Sequence, residues 1–431
     1  MFGEKVRKYG FWILDFLKKG EVRKHYKDIT EIIEGKAYNS KIDRYLSNLL
    51  NYAVNNTDFY SEYRDYKSIK DFPIIDKNII KTNVERLLSR EYSGKELHSM
   101  STSGSTGTPL TIKQNKNKRN RVLAEIIYFG EKCDYFIGDR YVYLRVWTEK
   151  NKKSRINAFK QNLVMLDISK LDEGNLENIR KTFKNDKIKC ILGYATSLDI
   201  ISRYLIEKND TPDMFSIKIV ISGAEVLNEV TRVNLKKVFG CPVVSRYSNQ
   251  ENGILAQEPI GEKFFIINNA SYYIEFLKVD SDEEAEEGEL ARVVVTDLFN
   301  YAMPLIRYDT GDLAVVEKHE KYGKVITSIE GRRTDFIYNT SGDVLSPYSV
   351  INNMWAFNKI KQYQLIQEDK MSYKLRLNGA KGIYQDDEII NVFKSFLGQD
   401  ANIVIEYVEG IPLLKSGKFR TTICKYKPNE K

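Results

Sequence analysis

Cysteine is scarce. Only Cys133, Cys190, Cys241 and Cys424 occur in 431 residues, and a spacing of roughly 50 residues or more excludes both a Cys-x-x-Cys metal knuckle and a dense disulfide framework. Four such thiols are expected reduced and in the core of a cytoplasmic protein. Long hydrophobic runs are also missing, since no stretch approaches the roughly 18 to 20 apolar residues of a membrane span. The nearest run, 11–17, is broken by Asp15. A basic 1–8 precedes it, but no small-residue cleavage site follows and 18–21 is strongly polar. That pattern predicts an amphipathic helix rather than a signal peptide. Two placements suit this helix, packed on the body or resting on a membrane surface. Charge of one sign is thin as well. The 67 Lys+Arg against 59 Asp+Glu give +8 over a long chain, a slight bias towards anionic ligands and no nucleic-acid footprint. Repeats and low-complexity tracts are absent. What is present is an ordinary globular mixture, 42% hydrophobic and 29% charged. It excludes a mainly disordered chain, and the length predicts roughly two to four domains rather than one small binding module. Composition carries no reading of oligomeric state.

Apolar positions Ile42, Tyr45, Leu46, Leu49, Leu50 and Ala53 recur at helical spacing, and residues 1–99 are expected to form a helical N-terminal segment. Within it, 72–77 (FPIIDK) predicts a turn, an Asp76 N-cap and a helix running towards Leu88. Strand-like runs at 141–146, 190–192, 217–221 and 243–245 then alternate with helical patterns at 176–186, 196–208 and 227–239. Such alternation predicts an α/β region with a largely parallel sheet. Closely spaced strands follow at 264–267, 273–277, 289–296, 313–317 and 325–329, with the acidic 280–287 as a solvated hairpin tip. Beyond 335, a hairpin, a helix, strands at 361–367 and 371–377, a helix at 385–397 and a strand at 402–408 predict a separate small α+β domain.

The segment Ser101-Thr102-Ser103-Gly104-Ser105-Thr106-Gly107-Thr108-Pro109 alternates hydroxyls with glycines before a strand at 110–112. Small residues let the backbone approach a ligand, their N–H groups form a concave nest, and the hydroxyls add donors for phosphate oxygens. A phosphate-gripping loop is predicted, and it is not a Walker loop, because no Lys-Ser/Thr follows the second glycine.

This run resembles the phosphate loop of the adenylate-forming enzymes, the superfamily of acyl-CoA synthetases, peptide-synthetase adenylation domains and luciferases. Further motifs follow in that superfamily's order. Ser222-Gly223-Ala224-Glu225 resembles the loop lining the adenine pocket, and Tyr247-Ser248-Asn249-Gln250-Glu251 the motif whose tyrosine stacks on adenine and whose glutamate holds Mg2+. Tyr308-Asp309-Thr310-Gly311-Asp312 resembles the motif whose last aspartate grips the ribose hydroxyls. Gly331-Arg332-Arg333-Thr334-Asp335 is similar to the interdomain hinge, and Ser416-Gly417-Lys418 to the motif with the catalytic lysine. The likeness covers about 100–420, and length and the 72–77 segment bring it closest to the compact phenylacetate-CoA ligase-like branch, which includes ligase-like proteins of capsular polysaccharide synthesis. Three positions depart from the usual pattern: Ser248 replaces a frequent Gly, Asp309 a frequent Arg, and Thr334 the commoner Asp or Lys.

The resemblance implies an α/β fold. Residues 1–333 would bind ATP and the carboxylate, and 334–431 would form a mobile C-terminal α+β domain turning at Thr334 or Asp335. Catalytic roles fall to Lys418 and Glu251, with Glu251 as the Mg2+ ligand. ATP binding falls to Ser103, Gly104, Ser105, Thr106, Gly107, Gly223, Ala224, Glu225, Tyr247, Asp312 and Arg332. A carboxylate attacking the α-phosphate of ATP is anion meeting anion, so positive charge must be supplied where the transition state is negative. His98, just before the loop, is a further candidate for lining the pocket. The implied activity is ATP- and Mg2+-dependent activation of a small carboxylic acid as an acyl adenylate, with no nucleic-acid partner. The second half-reaction would use the face of the small domain near Gly342. Acceptors left open are CoA, a carrier thiol and an amine, the last making an amide-forming ligase that acylates an amino sugar. A catalytically silent nucleotide-binding assembly protein is the reading from another class.

Overall fold

The helical spacing of the first residues is realised in three helices, Phe2–Leu17, Glu21–Glu34 and Tyr38–Asn56. The computed structural model describes residues 2–35, 38–101, 110–149, 151–332, 336–345, 347–357, 359–412 and 420–426. Asp15, the charge that interrupts the first apolar run, is buried and accepts from the Val22 and Arg23 backbone N–H groups at 3.1 and 3.0 Å. It therefore caps the second helix, satisfying donors that a helix start leaves orphaned. The first helix packs on the body through Phe11 and Trp12, while Val6, Tyr9, Ile13, Phe16 and Leu17 remain more than half exposed. Among the described residues no helix is long and apolar enough to cross a membrane.

Asp76 caps the next helix as its sequence predicts, accepting from Asn78 and Ile79 N–H at 2.9 and 2.8 Å. That helix stops at Thr82 instead of running on to Leu88. Asn83 leaves helical geometry at φ −124°, turns its side-chain amide onto the Ile79 carbonyl, and a second short helix follows over Val84–Leu87.

Eleven strands form the main sheet, in the spatial order Tyr272–Lys278, Leu290–Asp297, Tyr308–His319, Gly323–Arg332, Phe265–Ile267, Ile254–Gln257, Val243–Ser248, Ile219–Gly223, Cys190–Tyr194, Tyr141–Arg145, Leu163–Asp167. The last five are mutually parallel. Between them run the helices Arg155–Gln161, Glu173–Asn185, Ala195–Glu207 and Glu229–Phe239, the crossovers that parallel strands require. The expected parallel region and the expected β-rich region are thus one mixed sheet. The reversal occurs where Val243–Ser248 turns over 249–253 into the antiparallel Ile254–Gln257. The Lys116–Glu131 helix, unassigned from sequence, buries Lys118, Arg121 and Glu125 beside its apolar residues, so polar burial blurs the periodicity that would announce it.

The C-terminal region has its own four-stranded sheet, ordered Asn402–Tyr407, Ser372–Asn378, Gln362–Gln367, Thr422–Cys424. The hairpin Ile337–Tyr338/Val344–Leu345 and the helices Pro347–Asn353 and Asp386–Leu397 accompany it. Phe357, Leu365, Leu375, Ile389 and Phe393 fill a core separate from those of the main sheet. Cys133, Cys190 and Cys241 are buried free thiols, and Cys424 is partly exposed.

Candidate active site

Parallel strands aim their carboxyl ends at one rim of a sheet, and ligands of α/β folds bind in the crevice outside that rim. Here a cleft of about 2480 Å³ lies along that rim, bordered by Arg145, Tyr194, Gly223 and Ser248 from four adjacent strand ends. Asp312 and Lys77 face it from the N-terminal body, and Lys361, Tyr363 and Arg420 from the C-terminal region.

The 222–225 segment ends the Ile219–Gly223 strand. Ala224 takes a left-handed φ of 68°, and the Glu225 carboxylate turns away to accept from the Thr196 N–H and hydroxyl at 2.9 and 2.7 Å. The loop is thereby pinned to the start of the Ala195–Glu207 helix, with its main chain left along the cleft.

Tyr247 and Asp312 meet across the sheet, the phenol donating to Asp312 Oδ2 at 2.8 Å. Burial, then the neighbouring Asp312 charge, raises the Tyr247 phenol well above its ordinary range, so it stays a donor. Asp312 is aimed by its own turn, in which the Thr310 hydroxyl accepts from Asp312 N–H at 3.1 Å and Gly311 adopts φ 78°. Arg332 is the strand partner of Asp312 in register. Asp309, at a position where an arginine is common, adds no loose charge to the cleft: Arg292 pairs with it at 3.0 Å and Gly311 N–H donates to it at 2.8 Å.

Glu251 sits in the turn between antiparallel strands, 2% exposed. Its Oε1 accepts from the Tyr308 hydroxyl at 3.0 Å and pairs with Lys77 Nζ at 3.2 Å. Its backbone carbonyl accepts from Gln114 Nε2 at 3.0 Å. Gln114 belongs to the strand Thr111–Gln114, which pairs with His98–Ser101 on either side of the serine- and glycine-rich segment. The end of this strand pair where Gln114 registers with His98 is thereby tied to Glu251, while Ser101 and Thr111, which flank the segment, register at its other end. Lys77, which sequence reading quoted in a motif but gave no role, enters because Asp76 starts a helix whose first residue points at the acid.

Gly253 closes the same turn at φ 141°, and a Cβ there would lie 2.7 Å from both Glu125 Oε2 and the Tyr272 hydroxyl. Gly253→Ala is accordingly expected to destabilise the fold by about 2 to 3 kcal/mol from backbone strain and overlap. Urea denaturation beside the wild type checks this, and an unchanged midpoint would show that the turn relaxes freely.

Ser103, Gly104, Ser105, Thr106, Gly107, Thr334, Asp335 and Lys418 lie outside the described residues. His98 borders the cleft, its imidazole held below its ordinary value by burial and by Arg119. Sequence reading also passed over Arg246, next to Tyr247, although the residue after it was singled out. Glu251 fits the Mg2+ that the resemblance implies, as a buried carboxylate whose Oε1 meets Tyr308 and Lys77 and whose other oxygen has no hydrogen-bond partner among the described residues. No group of three or more His, Cys, Asp or Glu suited to a metal occurs among the described residues. One carboxylate completed by substrate phosphates is how Mg2+ is commonly held.

Residues 337–425 match the family of the CapK C-terminal domain. Protein CapK of Staphylococcus aureus is 24% identical over 441 residues, covering 96% of this chain and 95% of that protein. Phenylacetate-coenzyme A ligase of Aromatoleum evansii is 25% identical over 267 residues, 58% of this chain and 59% of the ligase. Among solved structures, 2-hydroxyisobutyryl-CoA ligase in its postadenylation state superposes with TM-score 0.74 at 15% identity, over 92% of this chain and 91% of the other. The thioesterification state of the same ligase gives 0.59 at 16% identity, over 92% of each chain. By sequence the chain is similar to Protein CapK along nearly its whole length and to phenylacetate-coenzyme A ligase over part of it, and its fold is that of 2-hydroxyisobutyryl-CoA ligase.

Proposed function

We propose that this protein uses ATP to activate a carboxylic acid as an acyl adenylate, releasing pyrophosphate, and then passes the acyl group to a thiol such as that of CoA. The observation that carries the reading is the convergence of Tyr247, the buried Glu251 and Asp312 on the cleft at the carboxyl rim of the sheet, with the Gln114–Glu251 hydrogen bond tying the strand that follows the serine- and glycine-rich segment to the same acid. Phosphates gripped by that segment would lie next to Glu251, where bound Mg2+ would neutralise phosphate charge. Asp312 is oriented to accept two ribose hydroxyls, which fixes the nucleoside so that the α-phosphorus faces the attacking carboxylate. Lys418 supplies the charge that the transition state gathers. Similarity to a phenylacetate-CoA ligase supports the thiol acceptor. Residues 334–431 turn about Thr334 or Asp335 to present the face near Gly342 for the second step, a reading supported by the two states, postadenylation and thioesterification, in which 2-hydroxyisobutyryl-CoA ligase is solved.

The test is pyrophosphate exchange into ATP over a panel of carboxylic acids with CoA and amines withheld, followed by addition of each acceptor. Acid-dependent exchange with thioester formation on adding CoA is expected. Product only with an amine would replace the thiol acceptor by an amide-forming one. ATP binding without exchange for any acid would leave a nucleotide-binding protein without this chemistry. In the same assay Glu251→Gln is expected to raise the Mg2+ concentration for half-maximal exchange by about 10-fold, because the neutral amide loses the metal's one protein charge. A metal titration identical to wild type would remove Glu251 as ligand.

A further inference from the structure

Strand alternation sorts the residues at the carboxyl rim into two faces. Val142, Leu144, Ile191, Val220 and Val243 enter the core under the crossover helices. Cys190, Ile219, Ile221 and Val244 point the other way, towards the Lys116–Glu131 helix. On that second face, at the mouth of the cleft, lie Tyr141, Tyr143, Arg145 and Arg246. Leu123 and Ile126 of the covering helix, with Tyr135 and Trp147, complete an apolar and aromatic wall.

Arg246 is anomalous in such a wall. Its Nε donates to Gln257 Oε1 at 2.6 Å, and Gln257 is itself held by donating to the Phe129 carbonyl at 2.8 Å. The partner is thus a fixed, neutral acceptor. Among the described residues no carboxylate pairs with Arg246, and neither of its terminal nitrogens has a hydrogen-bond acceptor. Burial pulls its guanidinium below the ordinary value, and the groups next in influence are the neutral Cys133, Cys190, Tyr143 and Tyr135. Arg145, also without an ion pair among the described residues, lies over the Tyr143 and Trp147 rings at 5.3 Å from each. The acids bordering the cleft have other partners: Glu258 and Glu229 pair with Arg232, Asp199 with Arg203 and Glu251 with Lys77, while Glu225 accepts from Thr196, Asp312 from Tyr247 and Glu330 from Ser328. A half-buried guanidinium without a counter-charge is costly. Arg246 borders the cleft with its Nε held by Gln257, and a guanidinium whose two terminal nitrogens are uncommitted can take a carboxylate through two parallel hydrogen bonds.

We propose that the wall around Arg246 is the acyl pocket and that its substrate is a dicarboxylic acid. One carboxylate is activated at the nucleotide and the other is held by the Arg246 fork. The inference rests on the carboxylate-activating reading above and adds the substrate class. A monocarboxylic acid would place methyl or ring carbon against the guanidinium and leave it desolvated and unpaired, a loss that sites built for polar groups convert into strong rejection.

The experiment compares pyrophosphate exchange for succinate, glutarate, adipate and terephthalate with that for butyrate, valerate, caproate and benzoate. At least one diacid is expected to exceed its monoacid counterpart by about 30-fold in kcat/KM. Arg246→Met should reverse that order, and Arg246→Lys should restore part of it. Direct calorimetric binding of the best-bound diacid to wild type and to Arg246→Met runs beside it without ATP. Exchange that favours monoacids, or a loss in Arg246→Met that is equal for both series, overturns the dicarboxylate assignment and leaves carboxylate activation standing. Absent exchange with Arg246-dependent diacid binding overturns the activation reading and keeps the site. Absent exchange with no such binding overturns both.

Discussion

Lys418→Ala is expected to lower acyl-adenylate formation by about 100- to 1000-fold while ATP still binds, the size of effect seen when one preorganised transition-state charge is removed. The carboxylate and the α-phosphate both bring negative charge to the bond being formed, and Lys77, the described cation beside Glu251, is already paired with that acid. The lysine of the Ser416-Gly417-Lys418 motif is the group that the resemblance assigns to this charge. Pyrophosphate exchange with saturating acid, read beside equilibrium binding of ATP, separates chemistry from nucleotide affinity. Unchanged exchange would transfer the role to another cation, and Arg420, which borders the cleft from the adjoining strand end, would be the next to substitute.

The second large effect is on stability. Lys118 Nζ lies 2.8 Å from Asp297 Oδ2 with both side chains fully buried. This contact is an ion pair without a well-angled hydrogen bond to that oxygen. The ammonium also donates to the Tyr272 hydroxyl at 3.0 Å, which in turn donates to Glu125 at 3.1 Å, and Glu125 accepts from the Ile254 N–H at 3.2 Å. Two acids thus share a chamber with one lysine, directly beneath the turn that carries Glu251. Burial raises the Glu125 carboxyl above its ordinary value in spite of the Lys118 charge. Lys118→Met would leave Asp297 buried without its counter-ion, and a loss of about 3 to 5 kcal/mol is expected. Thermal or urea unfolding measures it. Adding Asp297→Asn should recover most of the loss, because the uncompensated charge is gone. Equal instability of single and double variants would point to packing rather than charge.

Local chemistry was legible where it depends on neighbours in sequence. Asp76 reads as a cap because its carboxylate serves N–H groups two and three residues on, and the strand runs at 141–146, 190–192 and 243–245 read from β-branched and aromatic residues in short apolar stretches. The ordered motifs around Gly223, Tyr247, Glu251 and Asp312 were visible through their resemblance to those of the adenylate-forming enzymes, and they converge on one cleft. The helix Lys116–Glu131 was not legible, since Lys118, Arg121 and Glu125 are buried polar residues whose partners Asp297, Asp28 and Tyr272 lie far away in sequence.

The sequence by itself determined the alternation of strands and helices and the residue types available at the site. Tertiary structure alone decided which of those residues act together. It joined the parallel and antiparallel strands into one sheet, brought Lys77 to Glu251 across 174 positions of sequence, and gave Asp309 to Arg292 rather than to the cleft. It also left Arg246 without a described counter-charge. The physical reason is that period and propensity act over a few residues, whereas ion pairing and burial depend on distance in space, which is fixed only when the sheet and its covering helices close.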